Sequence, residues 1–280
     1  MSSPRSRRAH AKVNLRLRVG GVRADGYHSI DTWLAPLADL YDDVQLAEAP
    51  PGAGVTVRCP GAPELEGAEN LAARAARAWA AARGVALDAE IVLTKRIPVA
   101  AGLGGGSSDA AAVLRLLEER AAGAALGGER LHAVAAQLGA DVPFFLGNGP
   151  ARATGIGERL APAPSPAWRW AAVAKPARGL KTADVYARLD ARRAGGDPGG
   201  GAPGGDYGND LQEAALELCP EIAGALAALR GAGAAVAQVS GSGSASFGLF
   251  ADEAGARGAA DALARLGLWN AVSRVRGGDE

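Results

Sequence analysis

Residues Ala11 to Val19 alternate strictly: Ala11, Val13, Leu15, Leu17 and Val19 fall on one face, Lys12, Asn14, Arg16 and Arg18 on the other. A period of two predicts a half-buried strand. It sets Lys12 and Asn14 side by side on the polar face, where Lys12 is either a solvated strand lysine or a site cation. Asp31 to Leu46 is apolar-rich with acids at Asp39, Asp42 and Asp43, and reads as one or two strands around a turn. Pro50 to Gly67 reads as loop, with a short strand at Val55 to Val57. From Asn70 to Arg83 the period lengthens: Leu71, Ala75, Ala78, Trp79 and Ala82 form the stripe of an amphipathic helix, stopped at Gly84. Ile91 to Leu93 is strand-like, and Ala110 to Leu117 is helical and apolar apart from Arg115. Glu129 to Leu138 is a further helix ended by Gly139. Strands are expected at Ala151 to Leu160, Trp168 to Ala174, Ala235 to Val239, Ser246 to Phe250 and Ala271 to Val275. Helices are expected at Thr182 to Arg192, Leu211 to Leu218, Glu221 to Leu229 and Glu253 to Leu266. Gly195 to Gly208 is dominated by Gly, Pro and Asp and is expected to be a mobile loop. There is no internal repeat. A boundary between two lobes is placed near residue 160, giving 1–160 and 161–280.

Between the strand at Ile91 and the helix at Ala110 lies Pro98-Val99-Ala100-Ala101-Gly102-Leu103-Gly104-Gly105-Gly106-Ser107-Ser108. Glycines let backbone turn tightly and approach a ligand without a Cβ in the way. The first N–H groups of a helix lack partners in their own helix, and the macrodipole adds positive charge there. The stretch therefore suits a phosphate. Ser107 and Ser108 can cap the helix, bind a phosphate oxygen or bind its metal. A Walker A loop is excluded, because no Gly-Lys-Ser/Thr follows. A dinucleotide fingerprint is excluded too: Ser107 stands where Gly is needed, and Glu118 and Glu119 come too early for the ribose acid. A plain glycine turn is the alternative; three consecutive glycines, two serines and the unbroken helical pattern favour phosphate.

Other candidates stay open on their own residues. Arg23 to His28 contains an Asp-Gly turn that presents Tyr27 beside His28; the pair either sandwiches a flat ring or packs at a surface. Lys95 and Arg96 either neutralise phosphate or form a plain exposed pair. In Gly139-Ala140-Asp141-Val142-Pro143 the proline biases Val142 toward extended backbone. Asp141 there is either a reacting carboxylate or a turn residue.

Charge and composition narrow the partners. The chain has 280 residues with 30 Lys+Arg and 30 Asp+Glu, so neither a nucleic-acid nor a membrane-surface partner is expected. That length is comfortable for two lobes. Cys59 and Cys219 stand alone and read as buried thiols, and three histidines (His10, His28, His132) give no support to a His-rich metal cluster. Arg5, Arg7 and Arg8 are followed by no apolar core, and no run reaches membrane-spanning length. A cytoplasmic protein is expected; its oligomeric state is not fixed by the sequence.

Three separated motifs agree. Ala11 to Leu15 with Ala24 to His28, then Pro98 to Ser108, then Leu138 to Pro143, closely resemble the GHMP small-molecule kinase superfamily, and Ser240-Gly241-Ser242-Gly243 resembles its third motif. The Ala-Asp-Gly-Tyr-His and Gly-Ala-Asp-Val-Pro segments point within it to a kinase whose substrate carries cytidine. The resemblance implies an α+β, two-lobe GHMP kinase fold with the active site in the cleft between lobes. It implies ATP-dependent phosphorylation of a tertiary alcohol, the 2-hydroxyl of an erythritol unit, in the non-mevalonate isoprenoid route. Lys12 and Asp141 fall on the family's catalytic pair. Pro98 to Ser108 falls on the ATP loop, with Mg2+ and Ser107 or Ser108 as its possible ligands. Tyr27 and His28 would hold the cytosine, Asn14 would lie on the substrate side, and Tyr186 would cover the ring. Asp109 departs from the pattern, since Asn is often seen there, as does the glycine-rich Gly195 to Gly208 insert. The alternatives are another GHMP kinase, acting on homoserine, mevalonate or a sugar, and a nucleotide-binding regulator without catalysis.

Overall fold

A computed structural model describes residues 5–121, 125–196 and 206–277. The expected loop at Gly195 to Gly208 lies largely outside these residues, at 197–205. The chain falls into two compact units, each assembled from several segments: 1–11, 41–97 and 104–148 in the first, 12–40, 98–103 and 149–280 in the second. Both mix helix and strand, giving the expected α+β class.

In the first unit, strand β4 (Ala89–Thr94) pairs antiparallel with Asp43 to Glu48 and parallel with β3 (Val55–Arg58). Residues 43–48 end a 21-residue strand, β2 (His28–Glu48). The expected turn within Asp31 to Leu46 is absent. Asp42, one of the three acids in that stretch, is fully buried in an ion pair rather than at a bend. Helix α1 (Leu71–Arg83) begins where the Asn70 side chain accepts the Ala72 N–H and ends at Gly84 with φ 67°. Only glycine takes that left-handed turn at little cost. Helices α2 (Gly105–Ala121) and α3 (Gly128–Leu138) complete the unit. Its core joins Trp79, Ile91, Leu93, Leu114 and Leu117. The alanine-rich faces of α1 and α2 let the two helices pack closely. Trp79 is a core residue, with its indole N–H on Glu118 at 2.6 Å.

The second unit contains most of β1 (Arg5–Val22), which pairs with the first half of β2. Across β2, residues Ile30 to Leu34 pair with β5 (Ala151–Gly155), and β5 turns into β6 (Arg159–Pro162). Ala151 to Leu160 is thus a hairpin and not one strand. Gly155 and Gly157, at φ 79° and 118°, make the bend that alternation alone does not reveal. A second, antiparallel sheet runs in the order β11 (Trp269–Arg274), β7 (Trp170–Lys175), β10 (Ser246–Phe250), β9 (Val236–Val239). The second unit also holds α4 (Thr182–Ala194), β8 (Gly208–Asn209), α5 (Gln212–Leu218), α6 (Glu221–Gly231) and α7 (Glu253–Arg265). The short β8 pairs parallel with Arg16 and Leu17. Helices α6 and α7 cover the second sheet through Leu229, Ala256, Ala259 and Leu263.

Candidate functional site

The polar face of β1 is not solvated. Lys12 is 3% exposed, and Asn14 and Thr32 are buried with it. The Lys12 ammonium donates to Asn14 Oδ1 at 2.7 Å and to the Gly102 carbonyl at 2.9 Å. Asn14 Nδ2 donates to Thr32 Oγ1 at 2.9 Å, and Thr32 in turn to the Arg16 carbonyl at 2.6 Å. Gln238, from β9, donates to the carbonyls of Asn14 and Leu15. A buried ammonium survives only when hydrogen-bonded and held, so this lysine is placed and not merely tolerated.

The first part of the glycine stretch, Pro98 to Leu103, belongs to the same unit. Leu103 accepts the Lys12 amide at 2.9 Å, and Ala101 accepts the Ala245 amide at 3.0 Å. The Gly102 carbonyl also takes the Ser240 hydroxyl at 3.0 Å. Gly102 has φ 75°, and a Cβ there would lie 2.1 Å from the Ser240 carbonyl oxygen. Ser240 to Ala245 is therefore a second tight loop locked onto the first, as its Ser-Gly alternation suggests. Asn209 ties that loop down by donating to the carbonyls of Val239 and Gly241.

The second part, Gly104 to Ser108, belongs to the first unit and opens α2. Gly104 has φ 73° and accepts the Ser108 amide at 2.9 Å. Ser108 is buried and Ser107 half-buried. Nothing lies within 4 Å of a Cβ built on Gly106. Bare glycine backbone with open space outside it, at the unpaired N–H groups of a 17-residue helix, fits a phosphate chain. The two serine hydroxyls are hard oxygen donors of the kind magnesium accepts alongside phosphate. No cluster of three or more His, Cys, Asp or Glu suited to a metal occurs among the described residues.

Asp141 is half-buried, in the first unit, on the link from α3 to a single 3-10 turn at Pro143–Leu146. Val142 is helical there, φ −62° and ψ −43°, not extended as Pro143 would bias it. The Val142 amide bonds to Gly139 and its carbonyl accepts the Phe145 amide, while its side chain is fully buried. These contacts outweigh the local preference.

Tyr27, His28 and Tyr186 come together in the second unit. The His28 and Tyr186 rings stack with centroids 5.0 Å apart and planes at 33°. They line a cleft of about 510 Å³ with Tyr27, Thr182 and Asp190. Tyr27 is 63% exposed at its rim, carried by the Asp25-Gly26 turn, where Asp25 accepts the Tyr27 amide at 3.2 Å. Asp190 was not foreseen. It bonds His28 Nε2 at 2.8 Å and sits four residues after Tyr186 on α4. That i,i+4 spacing puts the two on one helix face and was the available signal.

Lys95 is neither exposed nor free for phosphate. Its ammonium bonds Asp42 and, at 2.5 Å, Asp109. Burial pushes the Asp109 carboxyl up to about 7; Lys95 pulls it down, and Asp42 adds to the rise. Burial alone would lower Lys95, but its two carboxylates outweigh this and the net shift is upward. Arg96 instead bonds Asp43 at 2.7 Å and lies over the Tyr41 ring.

The chain matches known proteins along most of its length. Residues 70–149 match the GHMP kinases N terminal domain, and residues 202–267 match the GHMP kinases C terminal domain. The 4-diphosphocytidyl-2-C-methyl-D-erythritol kinase of Anaeromyxobacter dehalogenans is 48% identical over 270 residues, covering 91% of this chain and 83% of that protein. A crystal structure of 4-(cytidine 5′-diphospho)-2C-methyl-D-erythritol kinase superposes with a TM-score of 0.79 at 38% identity, over 98% of this chain and all of that one. A homoserine kinase from Cytophaga hutchinsonii superposes with 0.68 at 18% identity, over 96% of this chain and 95% of that one, a likeness of fold alone.

Proposed function

The chain belongs to the 4-diphosphocytidyl-2-C-methyl-D-erythritol kinases of the GHMP kinase family, and from that premise we propose which of its residues perform the reaction. The enzyme phosphorylates the 2-hydroxyl of 4-diphosphocytidyl-2-C-methyl-D-erythritol with ATP, in the non-mevalonate route to isoprenoid precursors. The observation that carries this over a homoserine, mevalonate or sugar kinase, or an inactive regulator, is 48% identity across 91% of the chain.

Phosphoryl transfer runs through a loose, charge-rich transition state, so the protein contributes mainly position and charge. In our reading the glycine amides of 104–106 and the start of α2 hold the ATP phosphates. Magnesium, when bound, offsets phosphate charge, with Ser107 or Ser108 as its protein ligands. Asp141 orients and accepts the proton of the attacking hydroxyl. The positive charge of Lys12 favours the developing alkoxide. Asn14 orients Lys12 by accepting from its ammonium at 2.7 Å, which supports a place for both on the substrate side. Tyr27, His28 and Tyr186 hold the cytosine; their convergence on one cleft supports this. The lobes 1–160 and 161–280 and a cytoplasmic location belong to the same proposal. No helix among the described residues is long and apolar enough to cross a membrane.

Asp141→Asn tests the base. Turnover, followed as ADP release, is expected to fall roughly 10²–10⁴-fold, with affinity for an ATP analogue nearly unchanged. Wild-type turnover in the variant refutes the assignment.

A further inference from the structure

We propose that Asp42, Lys95 and Asp109 form a positioning device for the phosphate-binding turn, fixing the direction in which the first amides of α2 point. The proposal rests on reading Pro98 to Ser108 as the ATP loop. Four of the seven residues from 102 to 108 are glycine, so this backbone does not fix its own amide directions. Catalysis by oriented dipoles needs them fixed before the ligand arrives.

The three charges grip the turn from both ends. Lys95 follows directly on β4, Asp42 comes from β2, and Asp109 from the opening turns of α2. Their side chains are 13%, 0% and 4% exposed. Lys95 bridges the two carboxylates. The second oxygen of Asp42 accepts the amides of Arg96 at 2.5 Å and Ile97 at 2.9 Å, the last residues before the loop. Ile97 in turn lies against the helix start, since a Cβ on Gly105 would be 3.0 Å from its Cγ2. Entry to the loop and exit from it are thus referred to one buried group of charges. A hydrophobic contact would not do the same work, because it is non-directional. Buried charge pairs are directional, and removing one partner leaves an uncompensated charge.

The aspartate at 109 acquires a reason. With Asn there, Lys95 would form one ion pair, to Asp42. With Asp it spans two carboxylates and becomes a bridge. Asp109 Oδ1 is buried with no hydrogen-bond partner among the described residues, so Lys95 is the partner that matters to this side chain.

Lys95→Met and Asp109→Asn test the device. Hydrogen exchange of the amides of 104–108 is measured without ligand, alongside KM for ATP, KM for the alcohol and kcat. Lys95→Met is expected to speed exchange there at least tenfold and to raise KM for ATP at least tenfold, with KM for the alcohol within twofold. Asp109→Asn, which keeps size and a hydrogen bond, is expected to move the same two readouts about threefold. Unchanged exchange and unchanged KM for ATP overturn the proposal. So does a parallel rise of both KM values, the mark of general loosening. If Lys95→Met does not fold, Asp109→Asn is measured in the same way, and the same results support or overturn the device. Should wild-type protein fail to take ATP, the proposed function falls, while the ligand-free exchange still decides on the device.

Discussion

Gly102→Ala puts the interlock of the two glycine loops to a quantitative test. Two costs add. The residue sits at φ 75°, where a side chain costs about 1–2 kcal/mol. Its new Cβ would also lie 2.1 Å from the Ser240 carbonyl oxygen and 3.1 Å from both N and O of Gly243. None of these is the end of a flexible side chain. The Ser240 carbonyl is engaged by the Gly243 amide at 2.9 Å, and the Ser240 amide by Ala245 at 2.9 Å, so the obstacle cannot swing aside. Overpacking of this kind costs about 1–3 kcal/mol. The sum is about 2–5 kcal/mol, a large part of the stability of about 5–15 kcal/mol of ordinary domains. The same displacement disturbs the Gly102 carbonyl that orients Lys12, so kcat is expected to fall roughly tenfold to a hundredfold. Gly84→Ala is the control: its φ of 67° is similar but nothing lies within 4 Å of the added carbon, so it reports the backbone cost alone, about 1–2 kcal/mol. Urea unfolding of both variants, with ADP release measured below the transition, provides the assay. A Gly102→Ala protein no less stable than Gly84→Ala, or one that keeps full kcat, refutes the reasoning.

Gly106→Ala is expected to separate stability from activity: in a helix it adds up to about 1 kcal/mol of stability, while its methyl group fills the space kept for phosphate and raises KM for ATP. A variant with unchanged KM for ATP would remove Gly106 from the phosphate site. Asp109 sets a pH slope. Its native value of about 7 against an ordinary 3.8 means the folded protein holds the extra proton between those values, so this group's contribution falls as pH rises from about 4 to about 7 and is flat above. Stability of wild type minus that of Asp109→Asn, from urea melts across this range, should therefore decline; a flat difference contradicts the shift.

Local chemistry made some elements legible. The alternation of β1, the Asn70 and Gly84 caps of α1, and the glycine opening of α2 are all written within a few residues. The environment of polar groups was not. Lys12 and Asn14 read as a wet face because Gln238 and Ser240, more than 220 residues away, are what cover it. Asp42 read only as one acid among three in an apolar stretch, because its counter-charge is 53 residues on. Asp190 became visible only through His28, 162 residues back. Alternation records whether a position is polar, not whether its partner is water or another part of the chain, and only folding supplies the second fact. The resemblance set Tyr27, His28 and Tyr186 around one ring, and the three line one cleft, because a resemblance carries tertiary pairing with it.

A glycine motif also hides two kinds of requirement that look alike in one dimension. Gly102 is forced by the protein itself: backbone of the Ser240 loop occupies the place of its side chain. Gly105 is partly forced in the same way, by Ile97. Gly106 is not, for its missing side chain faces open space and its φ is ordinary. Intrinsic propensity argues against glycine at an unstrained helical position, yet Gly224 and Gly258, inside α6 and α7, are equally open, so the space beside Gly106 suits a ligand without requiring one. What sets Gly106 apart from them is its place in the first turn of α2, among the N–H groups that lack partners in their own helix. The run alone cannot distinguish a turn that must be bare in order to fold from one that must be bare in order to bind.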